Sequence, residues 1–175
     1  MSGLIVLLAL VSFLIIAILC AAALVAAKKS ITQRTLQAEI VINAPATNVW
    51  KVLIDFEAYP QWNPFIRQVT GKAEPGEKLT IQMHLGNRMM TINPTVLSEQ
   101  PQRELRWLGH FFIPGLFDGE HSFVIEPLGE RKVRFIQSEE FSGLIIPFSK
   151  TLLNETEQNF NEMNMALKER AEHTD

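Results

Sequence analysis

The sequence predicts an α+β protein: a curved antiparallel sheet of about seven strands wrapped around one long C-terminal helix, behind an N-terminal transmembrane helix. Three observations predict it. An uncharged apolar run from Leu4 to Ala27 opens the chain. Alternating, β-branched segments then succeed one another, and one long stretch with helical spacing closes it.

The apolar run comes first. Twenty-four residues at 1.5 Å rise make a helix of about 36 Å, longer than the roughly 30 Å of bilayer hydrocarbon. A secretory signal would begin with basic residues, but this chain begins Met1, Ser2, Gly3. The small residues of "CAAALVAA" leave a cleaved signal as the alternative. A core helix would need a polar face, which the run lacks. Lys28, Lys29 and Arg34 follow the run and no side-chain charge precedes it, so the positive-inside rule places the following domain in the cytoplasm. The expected organisation is residues 1–29 as a single-pass membrane helix with short flanks, 30–36 as linker, 37–171 as one folded domain, and 172–175 as tail.

The domain opens on "TLQAEIVINAP", which alternates as a strand does. At Pro45 the period changes. Val49, Val52, Leu53 and Phe56 recur at helical spacing, and Pro60 and Pro64 require that helix to end near Tyr59. The stretch "YPQWNPFI" is expected to be a stiff helix-turn. Six strands then read in succession: "FIRQVTG", "KLTIQMHL", "MMTINPTVLSEQ", "RELRWLGHFF", "EHSFVIEPL" and "KVRFIQSEEF". Alternation turns Leu79, Ile81, Met83 and Leu85 to one face. It turns Leu105, Trp107 and Gly109 inward, as it does His121, Phe123 and Ile125, and groups Val133, Phe135, Gln137 and Glu139. From Pro147 to about Ala171, Phe148, Leu152, Thr156, Phe160, Met163 and Leu167 form one helical stripe. Only the concave face of the sheet is large enough to bury it.

In this order, "INAPATNVWKVLIDFEAYPQWNPFI", "GLFDGEHSFVIEPL" and "FSGLIIPF" before the last helix resemble the START-like superfamily of polyketide cyclases/dehydrases and lipid-transport proteins (SRPBCC). The resemblance covers roughly Gln37 to Arg170. It implies the helix-grip fold, with an apolar cavity between sheet and C-terminal helix. It also implies a hydrophobic ligand such as a lipid, sterol or polyketide, and in a minority of members a cyclisation or dehydration.

The residues name a site more readily than a reaction. Trp62, Asn63 and Phe65 are expected at the cavity rim, where Trp62 either caps the core or contacts the ligand. Trp107, Phe123 and Gln137 are expected to line it, with Phe141 near its mouth. The apolar hairpin tip from Phe111 to Phe117 reads as a lid over the cavity, as a segment that dips into the bilayer beside the tether, or as one packed on the core, since loops are polar unless they touch something. His121 and Glu139 share the inward face and are the weak candidates for general acid–base work. A hairpin turn around "GLF" would pair Phe111 with His121 and put His110 on the opposite face. Neither the histidine spacing nor the single cysteine, Cys20, makes a metal site. No cofactor is implied, and the net charge of −3 gives nucleic acid no basic surface.

Three functions compete. The first is a membrane-anchored domain that binds a hydrophobic small molecule, lipid-, polyketide- or isoprenoid-like. The second is a cyclase/dehydratase-type enzyme using His121 and Glu139. The third is a protein-interaction module with a filled cavity, favoured by a cavity well under about 300 Å³.

Overall fold

The computed structural model describes residues 13–19, 32–85, 88–111 and 113–174. Most of the expected membrane span, Leu4–Ala27, lies outside the described residues; within it, residues 13–19 are helical and exposed. No helix among the described residues is long and apolar enough to cross a membrane.

Among the described residues eight strands form two sheets, where about seven in one sheet are expected from sequence. β1 (Gln33–Ile42), β5 (Thr95–Gln100), β6 (Glu104–His110), β7 (Asp118–Gly129) and β8 (Lys132–Ser142) are ordered β1-β8-β7-β6-β5. β2 (Ile66–Thr70), β3 (Thr80–Leu85) and β4 (Arg88–Ile92) make the smaller sheet, and all pairings are antiparallel. The extra strand arises because "MMTINPTVLSEQ" breaks at Asn93 and Pro94. Proline has no N–H for a ladder, and the chain uses the break to change sheets. Leu79 N–H donates to the Pro94 carbonyl at 2.9 Å and Val96 N–H to that of Glu77 at 2.9 Å, joining the sheets at that corner.

The first helix, Ala46–Ile54, buries Val49, Val52 and Leu53 as its spacing predicts, and Trp50 with them. The "YPQWNPFI" stretch is a short 3₁₀ turn, Phe56–Ala58, followed by one helical turn, Tyr59–Trp62. Asn63 fixes the exit: its side-chain oxygen accepts the N–H groups of Phe65 at 3.0 Å and Ile66 at 2.9 Å. Arg67 ties the turn from outside by donating to the Asn63 and Pro60 carbonyls. Tyr59 is wholly buried and donates to the Leu53 carbonyl at 2.7 Å. Burial, and secondarily Asp55, push its phenol far above the usual tyrosine range.

The C-terminal helix starts at Lys150, not Pro147, which sits in a separate 3₁₀ turn, Ile146–Phe148. The buried stripe is therefore Leu153, Thr156, Phe160, Met163, Leu167 and Ala171, with Asn164 beside it. Phe148 is excluded from it and is 87% exposed. Because the turn interrupts helical geometry, spacing counted back from Leu152 no longer predicts where Phe148 points. The helix packs on β1 and the first helix. Phe160, Met163 and Leu167 enter one core with Phe123 and Phe135 of the large sheet and Ile81 of the small one.

Candidate functional site

The site is built on three inward rows that cross β6, β7 and β8. Leu105, Phe123 and Gln137 are directly opposite one another, then Trp107, His121 and Glu139, then Gly109, Gly119 and Phe141. The expected pairing of Phe111 with His121 is replaced by Trp107 with His121, because residues 111–117 form a longer connection than a tight turn. The shift is an even number of residues, so every side chain keeps its face. His110 therefore stays on the opposite face, as expected, and pairs with Asp118, Nδ1 to Oδ1 at 2.8 Å.

The third row makes the space. Gly109 and Gly119 oppose each other with no side chains, so the sheet has a bare floor between Trp107 and the hairpin tip. A Cβ on Gly119 would lie 2.2 Å from Glu139 Oε1; the carboxylate occupies the volume the glycine leaves open. Gly109 has only ordinary contacts, the nearest at 3.7 Å. Above this floor lies a cavity of about 140 Å³ between the sheets, the C-terminal helix and the hairpin tip. Phe65, Met83, Trp107, Phe117, Phe141 and Thr156 are among its walls. Met90, Ile92, Phe111, Ile145 and Leu152 also border it and are only half-buried, which marks the side facing solvent.

His121 is the most constrained polar group at the site. Its ring stacks on Trp107 (centroids 5.2 Å apart, 16° between planes) and meets the edge of Phe160 at 5.0 Å. Its Nδ1 lies 3.4 Å from Glu139 Oε2 and its Nε2 lies 3.2 Å from the Gln137 amide nitrogen. An amide nitrogen only donates, so Nε2 of His121 accepts and the ring proton sits on Nδ1, toward Glu139. Gln137 Nε2 also reaches Met163 Sδ at 3.6 Å, which supports this amide orientation, while its Oε1 is buried without a hydrogen-bond partner. The arrangement offers a carboxylate at the cavity wall, an imidazole of fixed tautomer behind it, and a positioning amide.

Of the residues named from sequence, the structure brings Phe65, Trp107, Phe111, Phe117, His121, Glu139 and Phe141 to the cavity. Trp62, Asn63, Phe123 and Gln137 are not on its wall. Trp62 packs on the core and on Tyr59, with ring centroids 5.0 Å apart. Phe123 and Gln137 lie one row behind His121. The opposed glycines, Met90, Ile92 and Ile145 were not identified as site residues. A glycine among the inward positions of each of two neighbouring strands is the available signal, since a strand glycine often marks close approach or missing bulk. No group of three or more histidine, cysteine, aspartate or glutamate residues able to hold a metal occurs among the described residues.

The fold and this apolar cavity define a class, the helix-grip proteins of the START-like type. Residues 33–172 match the family model described as polyketide cyclase / dehydrase and lipid transport, and the chain belongs to that family. No curated protein matches the sequence. Among solved structures, the chain is similar to the Zhui aromatase/cyclase from Streptomyces sp. R1128, with a TM-score of 0.68 and 18% identity over 80% of this chain and 94% of that one. It is also similar to a START superfamily protein from Mycobacterium smegmatis (TM-score 0.64, 21% identity, 79% and 97% covered). Norcoclaurine synthase from Thalictrum flavum is a third (0.63, 15%, 82% and 89%). At these identities the likenesses establish the fold.

Proposed function

We propose that this domain binds a hydrophobic small molecule, one ring or short apolar segment of which enters the cavity, and that the N-terminal apolar run tethers it to a membrane with the domain on the cytoplasmic side. The observation that carries the binding reading is the bare floor at Gly109 and Gly119 under a cavity walled mainly by apolar side chains. A core under no demand to hold a guest would fill the space above Gly109 as Glu139 fills that above Gly119, since protein interiors pack to crystal-like density. The volume limits the guest. At about 140 Å³ the space is close to an apolar cavity of roughly 150 Å³ that accepts benzene, and below the roughly 300 Å³ at which drug-sized pockets begin. The rest of a larger ligand would lie at the half-buried side beside Met90, Ile92 and Ile145.

The test compares small molecules extracted from the purified full-length protein with those from Gly109→Leu, identified by mass spectrometry. Detergent and bulk lipid are common to both. A compound enriched in the wild type is expected; identical extracts would overturn the binding reading and leave the protein-interaction module, which the small volume favours.

An enzymatic reading has its own support in His121 and Glu139 at the cavity and in the synthase and cyclase among the structural neighbours. Glu139 would exchange a proton with the ligand while His121 and Gln137 hold it in place. Incubating the recovered compound with wild type and with His121→Ala tests this: conversion by the first alone supports it, and conversion by neither removes it.

A further inference from the structure

The end of the molecule that carries the cavity is apolar on its outside as well. Ile113, Leu144 and Phe148 are 62%, 64% and 87% exposed. They belong to two loops, residues 111–117 and 143–149, that the backbone joins: Leu144 N–H donates to Gly115 O and Ile145 N–H to Leu116 O, each at 3.3 Å. Gly143 permits the approach. Its φ is +139°, and a Cβ there would lie 2.3 Å from the Leu116 carbonyl oxygen. Beneath the loops, Phe117, Phe141, Ile146 and Leu153 form a buried cluster of their own. The exposed side chains therefore stand on a fixed platform. Single exposed apolar residues are ordinary, but large ones grouped on loops held together mark an interaction surface.

The sequence upstream bears on what would cover it. Gly143 N–H donates to Thr32 O at 3.0 Å, so the chain enters β1 at this platform. Thr32 lies five residues after Ala27, the end of the uncharged run. Five residues span at most about 18 Å, so any membrane that takes up the run is within reach of the platform. Lys28 and Lys29 lie between the two and Lys150 follows Phe148, which suits an anionic lipid surface. The cavity borders the same loops through Phe111, Phe117 and Ile145.

From this we infer that the platform docks on the surface of a lipid bilayer, Ile113, Leu144 and Phe148 entering its interfacial layer, so that the cavity opens toward the membrane and a hydrophobic ligand moves between the two without crossing bulk water. The inference rests on the tethered, ligand-binding reading above and adds to it the orientation of the domain. A tether alone leaves the domain free to turn; docking does not.

The two are separable by experiment. Cys20→Ala removes the only cysteine, after which Leu144→Cys, Phe148→Cys and, as control, Leu128→Cys each accept one environment-sensitive fluorophore. Leu128 is also exposed (51%) but lies near the far end of β7 from the platform, about 30 Å away at strand rise. The full-length chain is reconstituted in phosphatidylcholine–phosphatidylglycerol vesicles whose acyl chains carry a quencher. Docking predicts loss of most emission at 144 and 148 and little at 128. Equal quenching at all three positions in a chain that floats with the vesicles would overturn docking and leave the tether. A chain that does not float with them would overturn the tether, and docking with it. Probes at 144 and 148 protected by a soluble protein fraction but not by vesicles would assign the face to a protein partner and likewise overturn the inference.

Discussion

Gly109 shows how little mass a site requires. It lies inward opposite Gly119, whose own space Glu139 fills, so the room left at position 109 is what opens the floor of the cavity. Gly109→Leu is expected to fill the floor and reduce binding of an apolar fluorescent probe at least about tenfold, the effect of roughly 1.4 kcal/mol. A Cβ at position 109 meets only ordinary van der Waals neighbours, and the rest of the leucine side chain would have to enter the cavity; a variant that binds the probe as wild type does would count against the cavity as the site. Gly119→Ala should act differently. Its new methyl would collide with the end of a flexible Glu139 side chain, so the carboxylate swings away while the fold survives. The His121 ring resonances, followed by NMR, would report that loss. Alternation made His121, Glu139 and Trp107 legible as inward residues, because period two fixes the face of a strand whatever its partner. It could not show that Trp107 stacks on His121 or that Gln137 sits behind it, because those depend on register.

At the level of elements, the C-terminal helix carries the domain. Phe160 is fully buried where both sheets meet the helix, against Phe65 and His121. Phe160→Ala is expected to cost about 3–5 kcal/mol of unfolding free energy, measured by denaturant titration. The last turn is also fastened: Glu172 accepts from the Asn43 backbone N–H at 2.7 Å and from Lys168 at 2.6 Å, and Lys168 also donates to the Val41 carbonyl. These bonds, Lys168 first and then Asn43, hold the Glu172 carboxyl below the usual carboxylate range. A carboxyl whose folded pKa is depressed stabilises fully above its unfolded value and loses that contribution as pH falls through the folded one. Acidification below about pH 4 should therefore release the end of the helix, and Glu172→Gln should remove that part of the pH dependence. The cost at neutral pH is expected to be below about 1 kcal/mol because the clip is partly solvated. The helix itself was legible from its stripe, but its start was not: the 3₁₀ turn at Ile146–Phe148 turns Phe148 outward, and local spacing carries no sign of that reversal.

For the molecule as a whole, the proposed tether carries a prediction of its own, and the flanking charge sets its direction. With Lys28, Lys29 and Arg34 on one side of the run only, a C-terminal tag should be protected from protease in intact cells and an N-terminal tag exposed; the reverse would put the domain outside. The sequence carried the general order of elements and the faces of the strands, because those follow from periodicity and from turn residues acting on near neighbours, and its motifs carried the resemblance to the family. Which strands form which sheet, which row meets which, and whether any room is left between them depend on contacts between residues far apart in the chain. The break at Pro94, the even shift that sets Trp107 beside His121, and the two glycines brought face to face are all of that kind. So is the meeting of Thr32, Gly143 and Leu116 at one end, which sets the exposed platform beside the start of the domain.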